Sequence, residues 1–443
     1  MKGDYAQVPD DIEWVDVHYV DLRGRLHSVS VTIDRVLKAN IFFDGSSVDL
    51  LDISDSDLHL IPDLRTLTKL PWGEGRGRVM ADIWCDGTPF WGNSRGVARK
   101  ASEYLASNGL RERMGAEVEF FIHKVRFEVR KGYMLAEVVN DEEGPEGSLQ
   151  PKRAYEVADS VSPTSSVRWE IIRSLREMGV KASIHHHEVA PNQAEISTAA
   201  LDALSLGDDI LTIKFVAKHV ARVWGYVANF MPKPLYGDNG SGMHIHVSLW
   251  RDGYNVFSDD SEPGGVSQLC RYFIGGLLEH GRALAALVSP TTNSYKRLVP
   301  GYEAPIYLAW GVANRSAAVR VPRTSDPAKK RIEFRPPDPM ANPYLAASAI
   351  LLAGLDGIRR KIEPGDPIQR NIYAMSEREL RELGVKTLPK SLSEALDELE
   401  SDCEFLKPVF PRQLLEKYIE VKRAEIRRVE IHPSPAEYLE YLW

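Results

Sequence analysis

Met243-His244-Ile245-His246-Val247-Ser248 alternates a polar residue with an apolar one through six positions. In an extended chain successive side chains point to opposite sides, so this stretch reads as a strand with His244, His246 and Ser248 on one face. Two other segments repeat the pattern. Glu117-Val118-Glu119-Phe120 sets two carboxylates against two hydrophobes, and Arg331-Ile332-Glu333-Phe334-Arg335 sets a carboxylate between two guanidiniums. The run His185-His186-His187-Glu188-Val189 adds histidines ending in an acid. One such strand is ordinarily the wetted face of an antiparallel sheet. Four of them point to a single polar surface.

Neighbouring carboxylates repel, and one of them gains a proton unless a cation holds both, so Glu117 and Glu119 between apolar residues invite a metal. A carboxylate-rich set with one or two histidines suits Mg²⁺ or Mn²⁺ better than zinc. Arginines beside such a surface suit phosphate or carboxylate ligands, which the guanidinium fork grips bidentately. Phosphoryl transfer is the reaction class these residues favour. The loop Gly237-Asp238-Asn239-Gly240-Ser241-Gly242 leads directly into the histidine strand and would let a ligand approach the backbone closely. Neither common nucleotide motif is present: there is no G-x-x-x-x-G-K-[ST], and Gly73-Glu74-Gly75-Arg76-Gly77 lacks the spacing of a dinucleotide loop.

Working outward, Trp14 to Ile33 alternates around the turn-prone Asp21-Leu22-Arg23-Gly24 and predicts a β-hairpin. A strand is expected at Arg78 to Trp84, closed by Asp86-Gly87, and a helix from about Ser94 through Leu105. Further strands are expected at Ala116 to Phe121 and Met243 to Leu249, and helices at Val167 to Met178 and Leu204 to Val223. From Leu345 onward the chain reads as mostly helical. The polar segment Asn140 to Lys152 is the one expected to be mobile.

The 443 residues allow two or three domains at ~150 residues each. With 43% hydrophobic and 27% charged residues, the composition is that of a globular protein rather than a low-complexity chain. No stretch approaches the ~20 apolar residues of a membrane helix, and Met1 to Asp11 are polar and acidic, so no secretory signal is expected. A cytoplasmic location is expected. The net charge is −8 and no basic run interleaves with aromatics, so nucleic acid is not an expected partner. Cys85, Cys270 and Cys403 are scattered and read as buried small hydrophobes rather than as a disulfide or zinc framework.

In order along the chain, several segments resemble the type I glutamine synthetase family. They include Phe43-Asp44-Gly45-Ser46-Ser47, Gly115 to Phe120, His187-Glu188-Val189-Ala190 with Gln193 and Glu195, and Asn239 to His244. Asn293-Ser294-Tyr295-Lys296-Arg297-Leu298-Val299-Pro300-Gly301-Tyr302-Glu303-Ala304-Pro305 follows, then Asn314-Arg315-Ser316, Arg331 to Arg335 and Asn342-Pro343-Tyr344. The long Tyr-Lys-Arg block is highly specific. The resemblance implies an α+β protein: a small N-terminal β-grasp domain, residues 1–93, and a large catalytic domain, residues 94–443, with a curved antiparallel sheet backed by helices.

It also implies ATP-dependent ligation of ammonia to L-glutamate through γ-glutamyl phosphate, with two Mg²⁺ or Mn²⁺ ions. By similarity Glu119, Glu188 and Glu195 hold one ion, and Glu117, His244 and Glu333 the other. Arg315 and Arg335 would grip the transferring phosphoryl group. Arg297, Asn239 and Gly240 would bind glutamate, and His246, Ser248, Arg320 and Arg331 the nucleotide. Asp44, Asp57, Tyr155 and Glu303 match the family's ammonium pocket, with Asp44 and Glu303 as catalytic carboxylates that attract ammonium and take its proton. Two stacked six-membered rings are implied, with the Asp44 loop completing a neighbour's site and Pro433 to Tyr438 reaching the facing ring.

Departures from the family pattern gather near the substrate: Ala154 and Glu156 around Tyr155, Asn192 for a glycine, Ser197 for an aspartate, Ser183 for a glutamate near the ribose, and Asn93-Ser94-Arg95 for Asp-Pro-Arg. They motivate a second reading, a γ-glutamyl ligase acting on a polyamine or other amine, although Asp44 and Glu303 favour ammonia. A third, a catalytically silent scaffold, is disfavoured because Glu119, Glu333 and Arg335 are all present. Tyr373 aligns with a tyrosine that some members modify, but its flanking residues differ and it reads as a surface tyrosine. Asp52 replaces an arginine used in feedback control.

Overall fold

The computed structural model describes residues 11–130, 133–139, 149–259, 261–434 and 436–437. Most of the segment Asn140 to Lys152 lies outside the described residues, as do Pro435 and Tyr438 of the C-terminal stretch.

The expected N-terminal hairpin forms as β1 (Trp14–Val20) and β2 (Leu26–Thr32), paired antiparallel from Trp14↔Thr32 to Val20↔Leu26. With β3 (Phe42–Asp44), β4 (Asp57–Pro62) and β5 (Arg76–Cys85) they make a sheet of order β2-β1-β5-β4-β3, in which β1 and β5 run parallel. This is the β-grasp arrangement. The strand expected at Arg78 to Trp84 is β5. Its turn has Asp86 and Gly87 both at positive φ, 47° and 74°, as a tight primed hairpin turn requires.

Alternation misleads in one strand. The nominally polar Asp16 and His18 of β1 are buried as well, and a helix covers that face at His18. His18 packs edge-on against Phe215, ring centroids 4.8 Å apart, and burial lowers its pKa to about 3. Arg78 of β5 is buried beside it and donates to Thr212 of the same helix at 2.7 Å. The hairpin tip is pinned as well. Gly24, at φ 80°, leaves no room for a Cβ against Asn342, whose amide donates to Asp21 O at 3.1 Å.

The larger sheet is built on the long β6 (Arg111–Arg130), with β7 (Ala182–His187), β8 (Gln193–Thr198), β9 (Met243–Arg251), β10 (Trp310–Val312), β11 (Val319–Val321) and β12 (Ile332–Phe334). Its order is β7-β8-β6-β9-β12-β11-β10, antiparallel except for β10 with β11. One face carries Val118, Phe120, Met243, Ile245, Val247, Ile332 and Phe334, all essentially inaccessible to solvent.

The backing helices are α1 (Ser94–Ser107), α2 (Ser165–Glu177), α3 (Ala203–Val223), α4 (Gln268–Glu279) and α5 (Gly281–Val288), followed by α6 (Pro343–Arg360), α7 (Leu392–Ser401) and α8 (Arg412–Glu430). The helices expected from the sequence match α1, α2 and α3 to within about two residues at each end. α6 is apolar around its whole circumference and lies in the middle of the layer. It begins on the cap Asn342 with Pro343 in its first turn, where a missing N–H costs nothing. α4 approaches α6 through glycine: a Cβ on Gly276 would sit 2.0 Å from Ala353 O. No helix of the described residues is long and apolar enough to cross a membrane. Cys270 is buried, whereas Cys85 and Cys403 are only half-buried, and all three are free thiols.

Candidate active site

Strand register brings the polar residues together. His244 lies opposite Glu117, Glu119 opposite Glu195, Ser197 opposite Glu117, and Glu333 is flanked by His246 on one side and Arg320 on the other. Because period-two alternation puts all of these on the same face, all but His246 line a cavity of 220 Å³. Glu117, Glu119, Glu188, Glu195, His244 and Glu333 all reach it. So do Tyr155, Asn239, Gly240 and Arg297, and Glu303, Arg315, Arg320 and Arg335.

Two compact donor sets stand within it. In one, ligand atoms of Glu117, His244 and Glu333 lie within 4.8 Å of one another. Glu117 is 3.0 Å from His244 Nδ1 through one oxygen and 2.8 Å from His246 Nε2 through the other. Burial opposes its charge, but those hydrogen bonds hold its pKa well below the usual carboxylate range. Glu333 is fully buried between Arg320 and Arg335, which donate to separate oxygens. Burial opposes its charge, but Arg335 first, with His244 and His246, brings its pKa down to about 2.

The second compact set is His186, Glu188 and Glu195. Glu119 stands beside it, with one oxygen occupied by Gly242 N at 2.9 Å and Gln193 Nε2 at 3.2 Å. Burial and the charges of Glu188 and Glu195 push the Glu119 carboxyl well up, and burial and Glu195 push Glu188 up to about 7. Three closely packed acids, with one histidine as local counter-charge, form a site with surplus negative charge. The residues present therefore fit hard divalent cations.

Around these sets lie the cationic and glycine-rich parts. Arg297 is buried and oriented by backbone carbonyls, donating to Pro336 O at 2.8 Å and Arg335 O at 3.2 Å. Gly240 and Gly242 do not clear space for a ligand alone. A Cβ on Gly242 would meet the Arg297 guanidinium at 2.6 Å and His244 at 2.7 Å, and one on Gly240 would meet Pro232 O at 2.3 Å. Arg315 hydrogen-bonds Tyr155, whose ring meets the edge of His186 with centroids 5.5 Å apart.

His246, Ser248 and Arg331 face an adjoining cavity of 280 Å³ that shares Glu117 with the first. Arg331 Nε donates to His246 Nδ1 at 3.1 Å, and Trp250 Nε1 to Ser248 at 3.0 Å. Asp44 and Asp57 are the exceptions, reaching neither cavity. Asp44 is fixed by Ser46 and Ser47, whose hydroxyls donate at 2.6 Å and keep it ionised.

Several site residues were given no role from the sequence. His186 is one of three consecutive histidines, and its pairing with Glu195 is what aims it inward. Gln193 bridges Glu119 and Gly240 O, and Tyr302 lines the rim. Departures from the family pattern find local roles. Asn192 keeps the left-handed backbone of the glycine it replaces, φ 59°. Ser197 donates to Glu195 at 3.0 Å, and Ser183 bonds the carbonyls of Ser197 and Thr198. Tyr373 is not a free surface tyrosine: it is half-buried, and its hydroxyl donates to Ala304 O at 2.8 Å.

A β-grasp sheet beside a curled antiparallel sheet, whose polar face gathers acids, histidines and arginines, defines a carbon–nitrogen ligase. The chain belongs to the glutamine synthetase family. The family's catalytic-domain model matches residues 92–441 and its β-grasp-domain model residues 11–86. Glutamine synthetases from Sulfolobus acidocaldarius and Thermotoga maritima are 43% and 40% identical to it. The matches cover 98% of this chain and 96% and 97% of those proteins. Among solved structures, Plasmodium falciparum glutamine synthetase superposes with a TM-score of 0.86 at 29% identity, covering 98% of this chain and 96% of the other. A GmaS/ADP complex superposes with a TM-score of 0.85 at 30% identity, covering 98% and 97%.

Proposed function

We propose that this enzyme joins ammonia to the side-chain carboxylate of L-glutamate, using ATP, through γ-glutamyl phosphate, and releases glutamine, ADP and phosphate. The observation that carries the reading is the single cavity in which two carboxylate–histidine sets meet Arg297, Arg315 and Arg335. Glu117, His244 and Glu333 would hold one Mg²⁺ or Mn²⁺, and Glu188 and Glu195 with Glu119 the other. Bound there, the ions would supply Lewis-acid polarisation of phosphate and carboxylate oxygens.

The chain's own groups do the rest. Arg315 and Arg335 donate where charge spreads over the phosphoryl oxygens. Arg297, Asn239 and Gly240 bind the amino acid, while His246, Ser248, Arg320 and Arg331 orient the nucleotide. Glu303 and Asp44 draw in ammonium, and a carboxylate takes a proton from it to free the nucleophile. Asp44 and Asp57 line neither of the two cavities described, which supports a ring assembly in which one subunit's β3 and β4 complete its neighbour's site; we propose two stacked rings of six. Free thiols throughout suit the cytoplasm.

The test is phosphate release from ATP with Mg²⁺ or Mn²⁺ and glutamate, comparing ammonia with a panel of amines at equal concentration. Preference for ammonia with glutamine as product supports the reading. Preference for a polyamine or other amine replaces it with a γ-glutamyl ligase of that acceptor.

A further inference from the structure

We propose that Tyr302 is a positioning residue, its ring held by Lys152 and Lys233 so that the loop carrying Glu303 is locked to the loops carrying Tyr155 and Asn239. The inference rests on the functional reading above. Lys152 Nζ lies 4.0 Å from the centre of the Tyr302 ring and Lys233 Nζ 3.7 Å. Both distances are within the range of a cation–π contact.

The three chain segments come from distant parts of the sequence and meet here. Lys152 lies just upstream of Tyr155. Its backbone N–H donates to Asp238 Oδ1 at 3.2 Å, and its ammonium to Gly301 O at 3.4 Å. Lys233 lies just upstream of Asn239. Its ammonium donates to Asp238 O, and its backbone is tied to Asn293 by two bonds of 2.7 and 3.0 Å. Asp238 Oδ1 also accepts from Asn239 N at 2.9 Å, so the glutamate-side loop is part of the same knot.

The Glu303 loop needs an outside restraint. Gly301 and Glu303 have φ of 89° and 58°, and a non-glycine residue in the left-handed region persists only where its surroundings hold it. On its far side the loop is tied by Tyr373 to Ala304 O and by Arg335 to Glu303 O at 3.4 Å. On the near side the ring of Tyr302 provides the restraint. It also gives two ammonium groups that repel one another a common partner. Burial, with the charge of Lys152 adding to it and Asp238 opposing, lowers the pKa of Lys233 to about 8. Asp238 attracts both ammonium groups as well, but it belongs to the glutamate-side loop. Without the ring the Glu303 loop keeps, among the described residues, only the long Lys152–Gly301 O bond on this side, and the acceptor side of the site loses registration with the glutamate side.

The test compares wild type, Tyr302→Phe and Tyr302→Leu as assembled enzymes, with ATP, Mg²⁺ and glutamate fixed and ammonium varied. Tyr302→Leu should raise the KM for ammonium about tenfold while leaving the KM for ATP unchanged. Tenfold corresponds to ~1.4 kcal/mol, the scale of two exposed cation–π contacts. Tyr302→Phe keeps the ring and should behave as wild type. Wild-type kinetics in the leucine variant, equal losses in both variants, or a parallel rise in the KM for ATP would each overturn the proposal. Amide exchange of residues 299–305 reads the same lock without turnover: faster exchange in the leucine variant alone supports it, and identical exchange in all three overturns it. Should wild type release no phosphate with glutamate and ammonium, the functional reading fails while exchange still decides the lock.

Discussion

Asp44 and Asp57 stand directly opposite each other on β3 and β4, outside the cavity that gathers the other acids. If they complete a neighbour's site, an Asp44→Ala subunit and an Arg335→Ala subunit damage different halves of one composite site. Each variant alone should be nearly inactive, and co-assembled subunits should regain a measurable part of wild-type turnover. Mixed oligomers as inactive as the parents would show that Asp44 does not act across a subunit boundary.

Glu303→Ala removes acceptor-side charge and leaves both compact donor sets intact. Turnover with ammonium should fall by roughly 10² to 10⁴, the usual contribution of a positioned acid or base, while calorimetric ATP binding stays within twofold. Parallel loss of nucleotide affinity would remove Glu303 from the proposed role.

Glu333 holds Arg320 and Arg335 and belongs to the set with Glu117 and His244. Glu333→Ala takes one ligand away and leaves two guanidiniums without their carboxylate. Metal-dependent ATP binding should weaken at least tenfold, read by titration with Mn²⁺. Unchanged Mn²⁺ affinity would rule out that set as a metal site.

His280 couples α5 to the rest of the helical layer, 3.0 Å from Asp356 and 2.8 Å from Asp402, and stacks on Phe405. Burial opposes its charge, but hydrogen bonds to Asp402 and Asp356 outweigh it and raise its pKa. A raised folded pKa means that the stabilisation is complete below the unfolded value of about 6.5 and is lost as pH rises through the folded value. The difference in Tm between wild type and His280→Gln should therefore be largest near pH 6 and shrink as pH rises above that. A difference that grows with pH would contradict the ion-pair assignment.

Much of this architecture was legible in the chain. The alternation in Glu117 to Phe120, Met243 to Ser248 and Arg331 to Arg335 identified strands and the face that turns inward, since a pleated strand sorts neighbours by a purely local rule. The hydrophobic spacing of α1, α2 and α3 placed those helices, and the collinear motifs named the family. The same rule failed at Asp16 and His18, which are both buried, and at His18 a second layer, α3, covers the face that alternation marks as exposed.

The sequence by itself determined which residue types are present and which side of each strand they occupy. Tertiary structure alone decided that His244 stands against Glu117, that His186 rather than its two neighbours meets Glu195, and that Asp44 lies away from the cavity. It also brought Lys152, Lys233 and Tyr302 to one point. Side-chain alternation is set by the backbone of a single strand, whereas register and loop meetings depend on pairings between separate segments, some of them more than a hundred positions apart, fixed only when the whole core packs.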